Sequence, residues 1–329
     1  MNILLTGGAG FIGSNVAAQI EAREMGEVAV IDRLRNGDKW RNISKRFLRN
    51  IVFPEDTFDF LNERAAKIEA VLHFGAISSP MENDVDTIVK NNIQLTWSLW
   101  KWCTEHEVPF IYASSAAVYG DGSLGFADDL STEALAKLRP LSPFAWSKLF
   151  MDRKVAEAVE DDKMTPPQWV GLRFFNLYGP NEYHKGHHQS VIPQIYTQAK
   201  NGKLFPLFKS ENPEYKDGDQ MRDFMWIDDC VDIVLWFLTH RETSGLFNAG
   251  TGLARTYADV LRAVYAALEE EPEMDFIDLP DALKNKYQYF TQADISKLRA
   301  AGYDKPFTTL EDGVAKYVKD FLSSADPYR

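Results

Sequence analysis

Cysteine is scarce in this chain. Only Cys103 and Cys230 occur in 329 residues, and they lack CxxC spacing. A disulfide framework is thereby excluded; two reduced thiols are expected, with one disulfide the formal alternative. Positive charge is short as well, since 36 Lys and Arg face 48 Asp and Glu for a formal net charge of −12. That balance argues against nucleic acid as a partner and leaves no polybasic patch for a membrane. It does not exclude an anionic substrate, because a few local cations suffice to bind phosphate inside an acidic protein. No apolar run approaches the ~18 residues of a membrane span, and no charged leader precedes the apolar segment at Met1. The expected compartment is the cytoplasm. Internal repeats and low-complexity segments are absent.

What is present begins with a nucleotide-binding pattern. Met1 to Leu5 is a short apolar run, followed by Thr6 and then Gly7, Gly10 and Gly13 at G-x-x-G-x-x-G spacing. Helical character follows from Ser14 to Ala22, and a second strand is expected at Val28 to Ile31. Glycine at these positions permits a tight turn, close backbone approach to a pyrophosphate and close helix–strand packing. The helix N-terminus supplies unpaired N–H groups to the phosphates. Asp32 ends the second strand nineteen positions beyond Gly13, where an acidic side chain accepts ribose hydroxyls. Arg33, Arg35 and Lys39 follow closely. They suit the 2′-phosphate of NADP, which favours NADP over NAD; the competing reading makes them solvated loop charges.

Further strands are expected at Ala70 to Phe74, opening into Gly75-Ala76, and at Phe110 to Tyr112, ending in Ser114-Ser115. An amphipathic segment lies between them, from Val89 to Trp102. His73 reads as a satisfied strand-end histidine. His184, His187 and His188 lie close together, but no carboxylate or thiol spacing accompanies them and Lys185 is a poor neighbour for a cation. No metal is expected.

Five segments, TGGAGFIGSN (6–15), HFGA (73–76), SSAAVYG (114–120), FAWSK (144–148) and RFFNLYGP (173–180), carry a resemblance to the extended short-chain dehydrogenase/reductase family, in its nucleotide-sugar epimerase branch. Downstream, GPNEYHKGHHQSV, RDFMWIDDCVD, GLFNAGTG and YQYFTQADISKLRAAGYDKPF narrow the resemblance to the ADP-glycero-manno-heptose 6-epimerases, over nearly the whole chain. Glu211 to Met221 looks like an insertion.

The resemblance implies a site in which a Tyr-x-x-x-Lys pair moves a proton while hydride passes to the nicotinamide. Here Phe144 stands at the tyrosine position and Lys148 at the lysine. Ser115, with Ser114 as its fallback, corresponds to the serine that hydrogen-bonds the reacting oxygen, and Lys185 to a second acid/base. For the cofactor it implies the turn Gly7, Gly10, Phe11, Ile12 and Gly13, the adenosine side Asp32, Arg33 and Lys39, and the strand end Phe74, Gly75 and Ala76. Asn91, Lys148 and Leu177 complete that set. For an ADP-heptose or related nucleotide sugar it implies Ser78, Ser115, Asn176, His187, Gln194, Phe208, Arg222 and Tyr287. Arg222 is the best physical match to a diphosphate, through its forked guanidinium. His187 stands where the family has a small Ser, and Gln194 where it has a His.

A lysine one helical turn after the tyrosine lowers the phenol pKa from ~10 and so makes it a usable base. Phenylalanine carries no such proton. The expected fold is α/β, a doubly wound parallel sheet (Rossmann) with a smaller C-terminal substrate lobe. Its division is 1–175 plus 224–249 for the dinucleotide and 176–223 plus 250–329 for the substrate. The expected activity is inversion at C6″ of ADP-heptose for the lipopolysaccharide inner core, impaired by Phe144, in a homo-oligomer. Two alternatives stay open: another nucleotide-sugar epimerase or dehydratase, and an inactive protein that binds NADP or a sugar nucleotide.

Overall fold

Strand and helix alternate from the first residues, and the computed structural model describes residues 1–79, 82–161, 164–281 and 287–329. Strands β1 (Asn2–Thr6), β2 (Glu27–Ile31), β3 (Asn50–Val52), β4 (Ala70–His73), β5 (Phe110–Ser115), β6 (Trp169–Phe174) and, later in the chain, β10 (Gly245–Ala249) make one sheet in the order β10-β6-β5-β4-β1-β2-β3. Every pairing in it is parallel. Such strands are covered on both faces, which is why they read as continuous apolar runs rather than alternating ones. Ile3 and Leu5 join one core with Val16 and Ile20 of helix α1 (Phe11–Ala22). Leu4 faces the opposite way, into a second core.

Between β1 and β4 the strand order reverses, and at such a switch point the two loops leave in opposite directions and open a crevice. The second core is built on helices α4 (Leu95–Glu105) and α6 (Pro143–Glu160), with Leu99, Trp100, Cys103 and Val155 packed on Leu4, Val71 and Phe110. Short helices α2 (Thr57–Arg64) and α3 (Val85–Ile88) precede α4. A π-helical turn, Val89–Gln94, joins α3 to α4. Helix α5 (Thr132–Lys137) leads into α6.

The remaining strands form smaller sheets. β7 (Asn176–Tyr178) runs parallel to β9 (Met221–Trp226), and β11 (Ala254–Thr256) lies antiparallel on the far side of β9. β8 (Pro206–Phe208) pairs with β12 (Asp275–Ile277). Phe224, expected where the chain returns to the large sheet, thus lies in the small one. The return is made by α8 (Ile227–Thr239), packed on α1, and by β10. The buried Asp223 explains this: its carboxylate accepts the amides of Thr251, Gly252 and Ala293 at 2.8, 2.9 and 3.0 Å, tying β9 to the segments that follow β10. Helices α7 (Val191–Lys200) and α9 (Tyr257–Leu268) cover this part. Cys103 and Cys230 are buried free thiols. Among the described residues no helix is long and apolar enough to cross a membrane.

Candidate active site

A cavity of about 1040 Å³ opens at the C-terminal ends of β1, β2, β4 and β5, on the crevice of the switch point. Its floor is the turn between β1 and α1. Gly7 has φ of +69°, and a Cβ there would lie 2.6 Å from the Gly75 nitrogen. Glycine is therefore required for these two strand ends to meet. The Gly10 amide returns to the Gly7 carbonyl at 2.9 Å, and α1 begins at Phe11 with its N-terminal amides facing the cavity.

At the end of β2 the Asp32 carboxylate accepts Ala9 N–H at 2.9 Å and Arg33 N–H at 2.7 Å. Lys39 Nζ lies 2.5 Å from the same carboxylate. Arg33 pairs with Glu55 at 2.5 Å and reaches Asn91 Oδ1 at 3.4 Å. Lys39 and Arg33 are thus engaged rather than freely solvated, while Arg35 is exposed. An anion here would meet an Asp32 already neutralised by Lys39. A glycine turn at a helix N-terminus, a strand-end carboxylate for ribose and two cations beside it fit a nicotinamide dinucleotide.

The reacting end is built by α6. Ser142 caps that helix by accepting Ala145 N–H at 3.2 Å, and Pro143 occupies its first turn. Phe144 therefore sits on the cavity wall, with Lys148 one turn deeper. Lys148 is 4% exposed, its Nζ donates to the Ala113 carbonyl at 2.8 Å, and it lies 6.0 Å from the Phe144 ring centre. Burial lowers its pKa to about 8, against the pull of nearby Asp152. Ser115 ends β5 and lines the same wall, its Oγ accepting Ala117 N–H at 3.2 Å. Lys185 comes from the turn Tyr183–His188, its Nζ 4.1 Å from the Phe11 ring centre; burial lowers its pKa, opposed by Glu182. Two amines with lowered pKa thus enter one cavity from different elements.

Leu177, Phe74, Ala76, Asn91, Ser78, Asn176 and Gln194 also line the cavity. Gln194 turns its amide back to the carbonyls of Gln189 and Ser190, at 3.1 and 3.2 Å. Four residues expected for substrate are not on this wall. His187 is exposed, and Phe208, Arg222 and Tyr287 form a cluster of their own, with Arg222 5.3 Å from the Tyr287 ring centre. Tyr257 joins the two places: it lines the cavity and faces Arg222 at 5.7 Å. Among the described residues no group of three His, Cys, Asp or Glu is arranged to hold a metal ion.

Several supporting side chains escaped the sequence reading. Asn92, brought inward by the π turn, accepts Ile77 N–H at 2.8 Å, donates to Ile77 O at 3.0 Å and donates to Ser147 Oγ at 3.0 Å. It thereby ties the β4 exit loop to α6. His73 is buried between Thr6 and Thr96, at 2.6 and 2.8 Å, and burial lowers its pKa to about 3. Thr96 donates to the Asn92 carbonyl, so its oxygen accepts from His73 Nε2–H and Nδ1 accepts from Thr6. The ring is a neutral spacer. Beneath Lys148, Asp152 accepts Arg173 Nε and Ser114 Oγ, both at 3.0 Å, with neither member of the ion pair exposed. The available signal was an acidic residue one turn after Lys148 on an otherwise apolar stripe.

Comparison with known proteins agrees with this architecture. Residues 3–250 match the NAD dependent epimerase/dehydratase family. The ADP-L-glycero-D-manno-heptose-6-epimerase of Fusobacterium nucleatum is 42% identical, with 99% of each chain covered. Its Nitratidesulfovibrio vulgaris counterpart is 41% identical at the same coverage. Among solved structures, the Helicobacter pylori ADP-L-glycero-D-manno-heptose-6-epimerase superposes with a TM-score of 0.79 at 27% identity, covering 97% of this chain and 95% of that one. A Thermus thermophilus UDP-glucose 4-epimerase complex with NAD superposes at 0.76 and 25% identity, covering 99% and 100%. With its parallel sheet, switch-point cavity and near-full-length similarity, this chain belongs to the NAD dependent epimerase/dehydratase family and, within it, to the ADP-L-glycero-D-manno-heptose-6-epimerases.

Proposed function

We propose that this protein inverts C6″ of ADP-glycero-manno-heptose, a precursor of the lipopolysaccharide inner core, using NADP, and that Phe144 slows the proton transfer on one side. The observation that carries the reading is the pair of amines, the buried Lys148 and the half-buried Lys185, entering the same cavity beside the glycine turn. The nicotinamide, when bound, supplies reversible hydride transfer. Ser115 is placed to hydrogen-bond the reacting oxygen. Lys185, made less basic by burial, takes or returns a proton on its side of the sugar. Lys148 holds the nicotinamide ribose and would make a tyrosine phenol at position 144 more acidic. Here Lys148 faces a ring without a hydroxyl.

NADP is favoured because Lys39 neutralises Asp32 and Arg33 stands beside them. We divide the chain into a dinucleotide part, 1–175 plus the return through α8 and β10 within 224–249, and a substrate part made of the rest, to which Phe224 and the end of β9 belong. A homo-oligomer is consistent with Leu141, Phe150 and Val159 at the surface near and along α6.

The test is mass spectrometry of what copurifies with the protein, followed by proton NMR of ADP-heptose incubated with it. Bound NADP and slow C6″ inversion are expected. NAD in its place overturns the cofactor preference. Tight nucleotide binding without any inversion, even after Phe144→Tyr, favours the inactive binding protein.

A further inference from the structure

Residues 326–329 lie far from the glycine turn in sequence yet pack against both flanks of the cavity. Tyr328 is only 7% exposed. Its ring meets Tyr183 edge-to-face, with centres 5.2 Å apart, and carries the Arg41 guanidinium 4.3 Å from its centre. Its carbonyl accepts Lys45 Nζ at 2.5 Å, while the Pro327 carbonyl accepts the Tyr183 hydroxyl at 3.0 Å. Arg329 forms an ion pair with Asp228 and donates its backbone N–H to Asn181 Oδ1 at 2.9 Å.

The grip on Asn181 is informative. Asn181 has φ of +72°, a left-handed conformation that costs a non-glycine residue energy unless its surroundings hold it. Its amide donates to Ser14 Oγ at 3.0 Å, so the same residue touches the first turn of α1. Four positions later comes Lys185. On the other flank, Arg41 and Lys45 continue the segment that carries Lys39 and hence the contact to Asp32. Fastening this tail restrains the Lys185 turn and the adenosine side together.

We propose that residues 327–329 form a strap in which Tyr328 and Arg329 are positioning residues, holding the Lys185 turn and the 38–45 segment at their working distance across the cofactor cavity. The proposal rests on reading that cavity as the nicotinamide site and Lys185 as a reacting amine. Residues 327–329 do not themselves line the cavity. It acts by removing the open conformations of two loops that would otherwise fluctuate independently.

The test compares the parent chain with Tyr328→Ala, Tyr328→Phe and Arg329→Ala. Amine acylation by acetic anhydride is read residue by residue by peptide mass spectrometry, well below each variant's Tm. NADP and NAD affinities are measured in parallel. For Tyr328→Ala the expected result is about a tenfold faster acylation of Lys185 and about a tenfold weaker dinucleotide affinity. Lys148, across the cavity, should keep its parental rate, and Tyr328→Phe should restore Lys185 protection because the ring contacts are retained. Arg329→Ala should shift Lys185 in the same direction and gives the answer if Tyr328→Ala does not fold. Parental Lys185 rates in Tyr328→Ala and Arg329→Ala overturn the strap, and so does a parallel rise at Lys148 and Lys185, which would mark general loosening. A parent chain that binds neither dinucleotide overturns the cofactor reading instead, and the Lys185 rates still decide the strap.

Discussion

Restoring one oxygen atom should restore most of the catalytic power of this chain. In Phe144→Tyr the new phenol extends from a ring that already lines the cavity, one helical turn before Lys148. The Lys148 ammonium has its pKa lowered to about 8 and so is mostly charged at pH 7. At roughly 5 Å and an effective dielectric near 20, a unit charge stabilises a phenolate by about 3 kcal/mol. That is about two pKa units, taking the phenol from ~10 to ~8. The revertant would then hold a usable base where the present chain has none. A general acid/base contributes about 100- to 10,000-fold, or about 3 to 5 kcal/mol of barrier. The assay is kcat for C6″ inversion of ADP-heptose, followed by NMR or chromatography because the two epimers have equal mass. The revertant rate should also gain a limb between pH 7 and pH 8 as the phenol ionises, beyond the pH dependence that the two lysines give both proteins. The reasoning is refuted if both proteins bind dinucleotide and substrate equally well and yet show equal kcat. In that case Lys185 would serve both faces of the sugar.

Two further outcomes follow from the geometry. Lys39→Ala leaves Asp32 negative and unneutralised beside the adenosine side, so NADP affinity should fall by about tenfold or more while NAD affinity changes little. Titration of both cofactors checks this, and equal losses would sink the assignment. His73 is held neutral, with its pKa near 3 in the fold and 6.5 as the ordinary value. A depressed folded pKa gives stability that is full above pH 6.5 and is lost as pH falls toward the folded value. The loss is about 1.4 kcal/mol per pH unit, or about 3 kcal/mol by pH 4. Urea unfolding at pH 7 and pH 4.5 should therefore show a smaller pH penalty for His73→Gln than for the parent; an identical penalty would show that His73 does not titrate in this window.

Local pattern made the first half of the site readable. Gly7, Gly10 and Gly13 declare a turn whatever else the chain does, because their spacing answers a steric need within a dozen residues. Lys148 and Phe144 are likewise neighbours on one helix. Asn92 was legible only as a polar residue in an amphipathic segment; that it clamps Ile77 depends on a π turn, which no residue pattern announced. Asp152 on α6 and Arg173 on β6 meet only because α6 packs on the sheet where Ser114 of β5 is in register with Arg173. The segment 327–329 is more remote still, since the partners of Tyr328 lie up to 287 positions away by number (328 minus 41), at Arg41 and Lys45. The position of β9 went unread for a related reason: Met221 to Trp226 has the apolar content of a central strand, but Asp223 decides which sheet it joins by collecting amides from elsewhere.

The π turn at Val89–Gln94 makes the helix one residue over-full. Deleting a residue there would relax the helix to ordinary winding and leave the part beyond it in phase, because the wide turn has already absorbed the extra residue. Leu99 and Trp100 would keep the core they share with Phe110, while Asn92 would lose the inward placement from which it holds Ile77 and Ser147. The extra residue is thus spent on the β4 exit loop beside the cavity and not on the packing of the helix.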